Sequence, residues 1–233
     1  ARVLFGEANP AGRLAETFPN TLADTPSFYY FANHPRQVQY REGLYVGYRY
    51  YDSVGKDVLF PFGHGISYTA FEYSDLRIDG TGVQSDGLPA ESPPTTLSCR
   101  VANTGSRDGD EVVQVYVHDV ESTQYRPEQE LAGFRRVSVP AGQAIDVAVA
   151  LDPRAFAQFD VGTGGWIVEP GTFEIRVGAS SRDVRLKETI TVAERGAAPE
   201  HGATGGMAGA PRGGGPDGAA GGHAGAGRPV VAR

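Results

Sequence analysis

The chain has 233 residues, a formal charge of −7 and 40% hydrophobic residues, enough for one full domain with a real core and part of another. The acid balance, with a pI near 5.2, offers no attraction to phosphate backbones, so nucleic acid is not an expected partner. One cysteine, Cys99, excludes an internal disulfide and a multi-cysteine zinc site but leaves the compartment open. No run approaches the ~18 apolar residues of a spanning helix, so no membrane partner is expected either.

Composition divides the chain into three zones. Residues 1–69 are rich in aromatics and Gly/Pro turns with no sustained helical period, which reads as the end of something larger. The aromatic and β-branched content of Leu44 to Tyr51 favours a strand. Gly47 within it suggests close approach of another group.

Residues 70–193 show repeated period-2 alternation between turns. The runs are Phe71–Ile78, Leu97–Val101, Val113–Val117, Leu131–Val139, Ile145–Leu151, Phe173–Val177 and Val184–Val192. Each should turn one face to a core and the other to water. Roughly seven short strands of this kind predict a mainly β protein, with an immunoglobulin or fibronectin type III-like β-sandwich. Cys99 lies in phase with Leu97 and Val101, so an inert buried thiol is expected. The third zone, 194–233, is dominated by Gly, Ala and Pro and should form a disordered tail, its His201 and His223 solvated rather than metal ligands.

Three segments carry a family resemblance. The first is Asn9-Pro10-Ala11-Gly12-Arg13-Leu14-Ala15-Glu16-Thr17-Phe18-Pro19, turn chemistry followed by a segment able to enter a strand. The second joins Tyr40-Arg41-Glu42-Gly43-Leu44-Tyr45-Val46-Gly47-Tyr48-Arg49-Tyr50-Tyr51-Asp52 to Leu59-Phe60-Pro61-Phe62-Gly63-His64-Gly65-Ile66-Ser67-Tyr68-Thr69. The third runs through the predicted sandwich: Asn103-Thr104-Gly105, Gly109 to Val117, Arg126 to Phe134, and Trp166 before Glu169-Pro170-Gly171. Together they resemble the C-terminal half of family 3 glycoside hydrolases of the β-glucosidase type, with Ala11 and Ala15 where that family usually has Ser and Pro.

The resemblance implies that residues 1–69 are the C-terminal remnant of an α/β sandwich domain, and that 70–193 are the accessory fibronectin type III-like domain. It also implies a retaining, exo-acting β-glucosidase or β-xylosidase as the parent enzyme, acting on a β-linked oligosaccharide or glycoside without a cofactor. Such chemistry needs two carboxyl groups ~5–5.5 Å apart. In the family both belong to domains upstream of the Asn-Pro segment, so the missing catalytic domains are the expected partner and the chain alone is expected to be inactive. A stand-alone carbohydrate-binding or structural sandwich is the alternative.

No residue is therefore assigned a catalytic, cofactor or metal role. Glu42 and Arg49 are the substrate-adjacent candidates, although a structural ion pair of Glu42 with Arg41, Arg49 or a missing segment is preferred, since buried carboxylates are usually paired. Arg49 and Asp52 take the same structural reading. Asp108, Asp110, Glu111 and Glu130 read as a solvated face. A triad of Asp52, His64 and Ser67 is disfavoured because Gly65-Ile66-Ser67-Tyr68-Thr69 lacks the last glycine of a nucleophile elbow. For Trp166, core packing or domain docking is preferred to a sugar-stacking platform.

Overall fold

The computed structural model describes residues 1–31, 36–80 and 94–193. The expected tail and its two histidines lie outside them. The sandwich is built from seven strands whose alternation is plain in the sequence: β3 (Phe71–Asp79), β4 (Thr95–Asn103), β5 (Gly109–Asp119), β6 (Glu130–Val139), β7 (Ala144–Leu151), β10 (Gly171–Ser180) and β11 (Asp183–Val192). One sheet has the order β3-β4-β7 and the other β11-β10-β5-β6, every pairing antiparallel. In-phase residues meet between the sheets: Leu97, Cys99 and Val101 from one side, Val113, Val115 and Val117 from the other. Burying a side chain of this size stabilises the fold by roughly 1.5–3 kcal/mol relative to leaving it exposed, so these rows set the register.

A small hairpin, β8 (Gln158–Asp160) with β9 (Gly165–Ile167), stands outside both sheets. A 3₁₀ turn, Pro153–Phe156, precedes it, and the Asp152 carboxylate caps that turn by accepting from Arg154 N at 2.8 Å.

Ahead of the sandwich, β1 (Phe18–Pro19) pairs with β2 (Val58–Phe60), and between them lies the six-residue helix α1 (Tyr48–Ser53). The strand expected over Leu44 to Tyr51 is thus corrected to a helical turn. Gly47 explains it: with φ of 57° it breaks the extended path just before α1, and no atom crowds the position where its Cβ would be. The glycine answers a backbone requirement, not a close approach. Residues 1–68 nevertheless present many exposed large apolar side chains, Leu4, Phe5, Leu22 and Phe31 among them. The fold is accordingly a mainly β protein, a fibronectin type III-like sandwich preceded by a segment with a short two-stranded pairing and one helical turn.

Candidate functional site

Helix α1 presents Tyr48, Arg49, Asp52 and Ser53 as one stripe, the i and i+4 positions of a single helical face, and that face docks on the sandwich. The Tyr48 ring stacks on Phe62 at 4.6 Å and meets Tyr116 edge-on, while its hydroxyl accepts from Leu131 N at 2.7 Å. Arg49 pairs with Glu130 at 3.1 Å. Asp52 receives Arg182 at 2.8 Å and the Gln129 amide at 3.1 Å. The Ser53 hydroxyl accepts from Glu128 N at 2.8 Å. Four residues of α1 therefore make five polar contacts, to the stretch from Glu128 to Leu131 that leads into β6 and to the turn joining β10 and β11.

A second seam lies over β5. Arg13 donates to both carboxylate oxygens of Glu111 at 2.8 Å, and the Tyr73 hydroxyl donates to the same carboxylate at 3.1 Å. Glu111 is almost fully buried, which corrects its assignment to a solvated face. Burial, reinforced by the Glu111 charge, pushes the Tyr73 phenol well above its ordinary range. On the opposite face of β5, Gln114 and Tyr116 are buried as well, although alternation alone turns them to water. The segment before the sandwich covers them: the Gln114 amide donates to the carbonyls of Gly63 at 3.1 Å and Ala179 at 2.6 Å, and Tyr116 donates to the Gln114 carbonyl at 2.7 Å. A Cβ at Gly63 would collide with that amide, so glycine is required there by packing as well as by its φ of 79°. Glu130 is only partly exposed and holds both Arg49 and Arg126, and Asp110 holds Arg136, so neither belongs to a freely solvated surface.

Glu42 and Arg49 share the lining of one cleft of about 600 Å³, between the Glu16 and Thr17 stretch and α1. They do not pair with each other. Arg49 turns to Glu130, as its structural reading expects, whereas the half-buried Glu42 side chain has no ion pair or hydrogen bond among the described residues. The ion pair expected for Glu42 with Arg41 or Arg49 is therefore absent from the structure. Glu42 also borders a neighbouring cleft of about 470 Å³ with Tyr30, Tyr45, Tyr50 and Tyr125. A lone carboxylate between an arginine and a row of phenolic rings can accept hydrogen bonds from hydroxyl groups that rest on those rings.

The other sequence candidates fall elsewhere. His64 stacks on Phe60 at 5.1 Å, and Ser67 donates to Asn9 at 3.0 Å, so Asp52, His64 and Ser67 are each engaged apart. Cys99 is buried as expected, and burial pushes its thiol up to about 11. Trp166 is 42% exposed on β9, so of the two roles expected for it, core packing and domain docking, the first is not what the structure shows. Among the described residues no group of three His, Cys, Asp or Glu side chains is placed to hold a metal ion. Sequence reasoning missed the Arg13–Glu111 pair and the Arg126 cluster, in which Arg126 holds Asp119 at 3.1 Å and Glu130 at 3.0 Å. Glu111 could have been found, because it is in phase with Val113, Val115 and Val117.

Comparison with known proteins agrees with these features. Residues 1–68 match the model of the glycosyl hydrolase family 3 C-terminal domain, and 111–181 match that of the fibronectin type III-like domain. The chain is 48% identical over 192 residues to thermostable beta-glucosidase B of Acetivibrio thermocellus, covering 82% of this chain and 25% of that protein. It is 40% identical over 196 residues to an exo-alpha-(1->6)-L-arabinopyranosidase of Bifidobacterium breve, covering 84% and 24%. The glucose complex of beta-glucosidase 3B from Thermotoga neapolitana superposes with a TM-score of 0.74 at 40% identity, over 83% of this chain and 26% of that one. The chain thus spans about a quarter of the length of the relatives it matches. It belongs to glycoside hydrolase family 3 and corresponds to a C-terminal portion of its β-glucosidase-like members, with a fibronectin type III-like domain.

Proposed function

We propose that this chain is the C-terminal part of a retaining, exo-acting β-glycosidase of the β-glucosidase or β-xylosidase type, in which the sandwich stabilises and orients upstream catalytic domains. The carrying observation is the triple ionic seam: Arg13 with Glu111, Arg49 with Glu130 and Asp52 with Arg182. Each pair joins the segment of residues 1–69 to the sandwich of 70–193, and the buried one, Arg13 with Glu111, tolerates little change in geometry. A sandwich fixed in this way holds the last part of the α/β domain in one orientation, and through it whatever that domain packs against. The exposed apolar side chains of residues 1–68 fit a surface covered by the upstream catalytic domains.

Glu42 and Arg49 are proposed to lie beside the β-linked glycoside in the assembled enzyme. The Glu42 carboxylate, without an ion pair or hydrogen bond among the described residues and bordered by tyrosines, suits a hydrogen-bond acceptor for sugar hydroxyls, and Arg49, held by Glu130, stands on the same cleft. Neither serves as nucleophile or acid/base, which this reading assigns to the upstream domains. Position, not proton transfer, is their part.

The test mixes the purified chain with a separately produced upstream portion and follows nitrophenyl β-glucoside, β-xyloside and α-L-arabinopyranoside. The chain alone should give no turnover and the mixture should. Turnover by the chain alone that vanishes in Glu42→Gln would place a catalytic carboxylate here and overturn the proposal.

A further inference from the structure

The sandwich carries an exposed tryptophan that neither the core nor the seam uses. Trp166 lies across from Phe159 on the β8–β9 hairpin, the two rings edge to face at 5.7 Å, and forms one wall of a cleft of about 290 Å³. The floor is apolar, from Leu131 and its neighbours, and the rim is charged, from Arg49, Glu130, Asp152 and Arg154. Most of that rim is held in place. Arg49 and Glu130 pair with each other, Glu130 is also gripped by the buried Arg126, and Asp152 is fixed as the cap of the 3₁₀ turn.

Arg154 is different. Its guanidinium sits 4.1 Å from the centre of the indole ring and makes no ion pair among the described residues. The ring face is thus covered by an exposed, singly held cation that a ligand can displace or engage. An indole beside an apolar floor, ringed by fixed donors and acceptors, matches a ligand with one C–H face and a rim of hydroxyls, which is the form of a pyranose.

We infer that this cleft is a saccharide-binding site on the sandwich, taking one pyranose unit of an uncharged oligosaccharide. The sugar displaces the Arg154 guanidinium from the ring, the indole and Leu131 receive the C–H face, Arg49 and the displaced Arg154 donate to hydroxyl oxygens, and Glu130 and Asp152 accept from hydroxyl groups. The site combines Arg49 of α1 with residues of the sandwich, so the seam that fixes the two parts also completes the cleft. It needs no upstream domain; it shares Arg49 with the cleft proposed above for the glycoside, so Arg154→Ala and Trp166→Phe, which leave that cleft unchanged, test it separately.

Trp166 is the chain's one tryptophan, so its emission and its indole N–H resonance report this cleft without ambiguity. Titrating the full chain with cellobiose or xylobiose should give a saturable change in both signals, and sorbitol at equal concentration should give none. Arg49→Gln and Arg154→Ala should each weaken the response roughly tenfold, the effect of removing one hydrogen bond from a charged group. Trp166→Phe, with folding checked by its urea transition, should lose the binding heat in calorimetry. No saturable change with either disaccharide, an equal change with sorbitol, or a response untouched by both arginine variants would overturn the proposal.

Discussion

Asp52 on α1 and Arg182 in the turn between β10 and β11 stand 130 residues apart in sequence and 2.8 Å apart in space. The same guanidinium donates to the carbonyls of Tyr51 at 3.1 Å and Lys56 at 2.7 Å, so one arginine side chain closes off the end of α1. The relationship joins the helix of the segment before the sandwich to the tip of a sandwich hairpin. It gives the seam a feature that can be measured directly.

Asp52→Ala should lower stability by about 2 kcal/mol. The side chain is 7% exposed and loses two hydrogen bonds, but Arg182 is 32% exposed and keeps its two backbone acceptors, which holds the loss below the 3–5 kcal/mol typical of a fully buried pair. A double-mutant cycle with Arg182→Ala, read from urea transitions, should return a coupling of about 1 kcal/mol or more. Strict additivity would show that the contact contributes nothing.

Glu111→Ala should be more damaging, by about 3 kcal/mol, because it leaves the Arg13 cation buried without its counter-ion. Tyr73→Phe removes one hydrogen bond to the same carboxylate and should cost about 1 kcal/mol. Limited proteolysis supplies the spatial readout: in Glu111→Ala, cleavage should rise within residues 1–69 before the sandwich is cut. Equal protection of that segment in wild type and variant would deny Glu111 its place in the seam.

The sandwich was legible because its strands bury one face and alternate at period 2, a signal that Leu97 to Val101 and Phe173 to Val177 carry without interruption. The helix at Tyr48 was not, because aromatic residues raise strand propensity and a six-residue helix is too short to show a 3.6 period. Gln114 and Tyr116 misled for another reason. Alternation reports which residues share a face, not whether that face meets water or a second layer of chain, and here both faces of β5 are covered. At the candidate site, the lack of an arginine partner for Glu42 among the described residues could not be read, since any of several arginines in its motif was a possible partner until the backbone placed Arg49 against Glu130.

Cys99 offers a test of the core itself. Its thiol is 2% exposed, and burial raises it to about 11, so at pH 8 the folded chain should hold almost no thiolate there. A disulfide reagent at that pH should label the native protein at the rate of its opening, and label it fully in denaturant. Prompt stoichiometric labelling of the native chain would mean that β4 is not packed as described.

The boundary proposed near residue 70 leads to the last prediction. Every member of the hydrophobic core cluster lies at Phe71 or beyond, so a chain of residues 70–193 has the whole inter-sheet core to itself and should unfold cooperatively. It would also uncover the outer face of β5. Tyr116, fully buried beneath Tyr48 and the segment around Phe62, would meet water, and the burial of one such ring is worth roughly 1.5–3 kcal/mol. The shortened chain should therefore show a single transition at lower urea, together with new binding of a hydrophobic dye that Tyr116→Ser reduces. Residues 1–69 alone own none of that core, and their ion pairs to Glu111, Glu130 and Arg182 would be lost, so they should show no cooperative transition. A shortened chain that melts without cooperativity would mean that the two parts form one folding unit and that no domain boundary exists at this position.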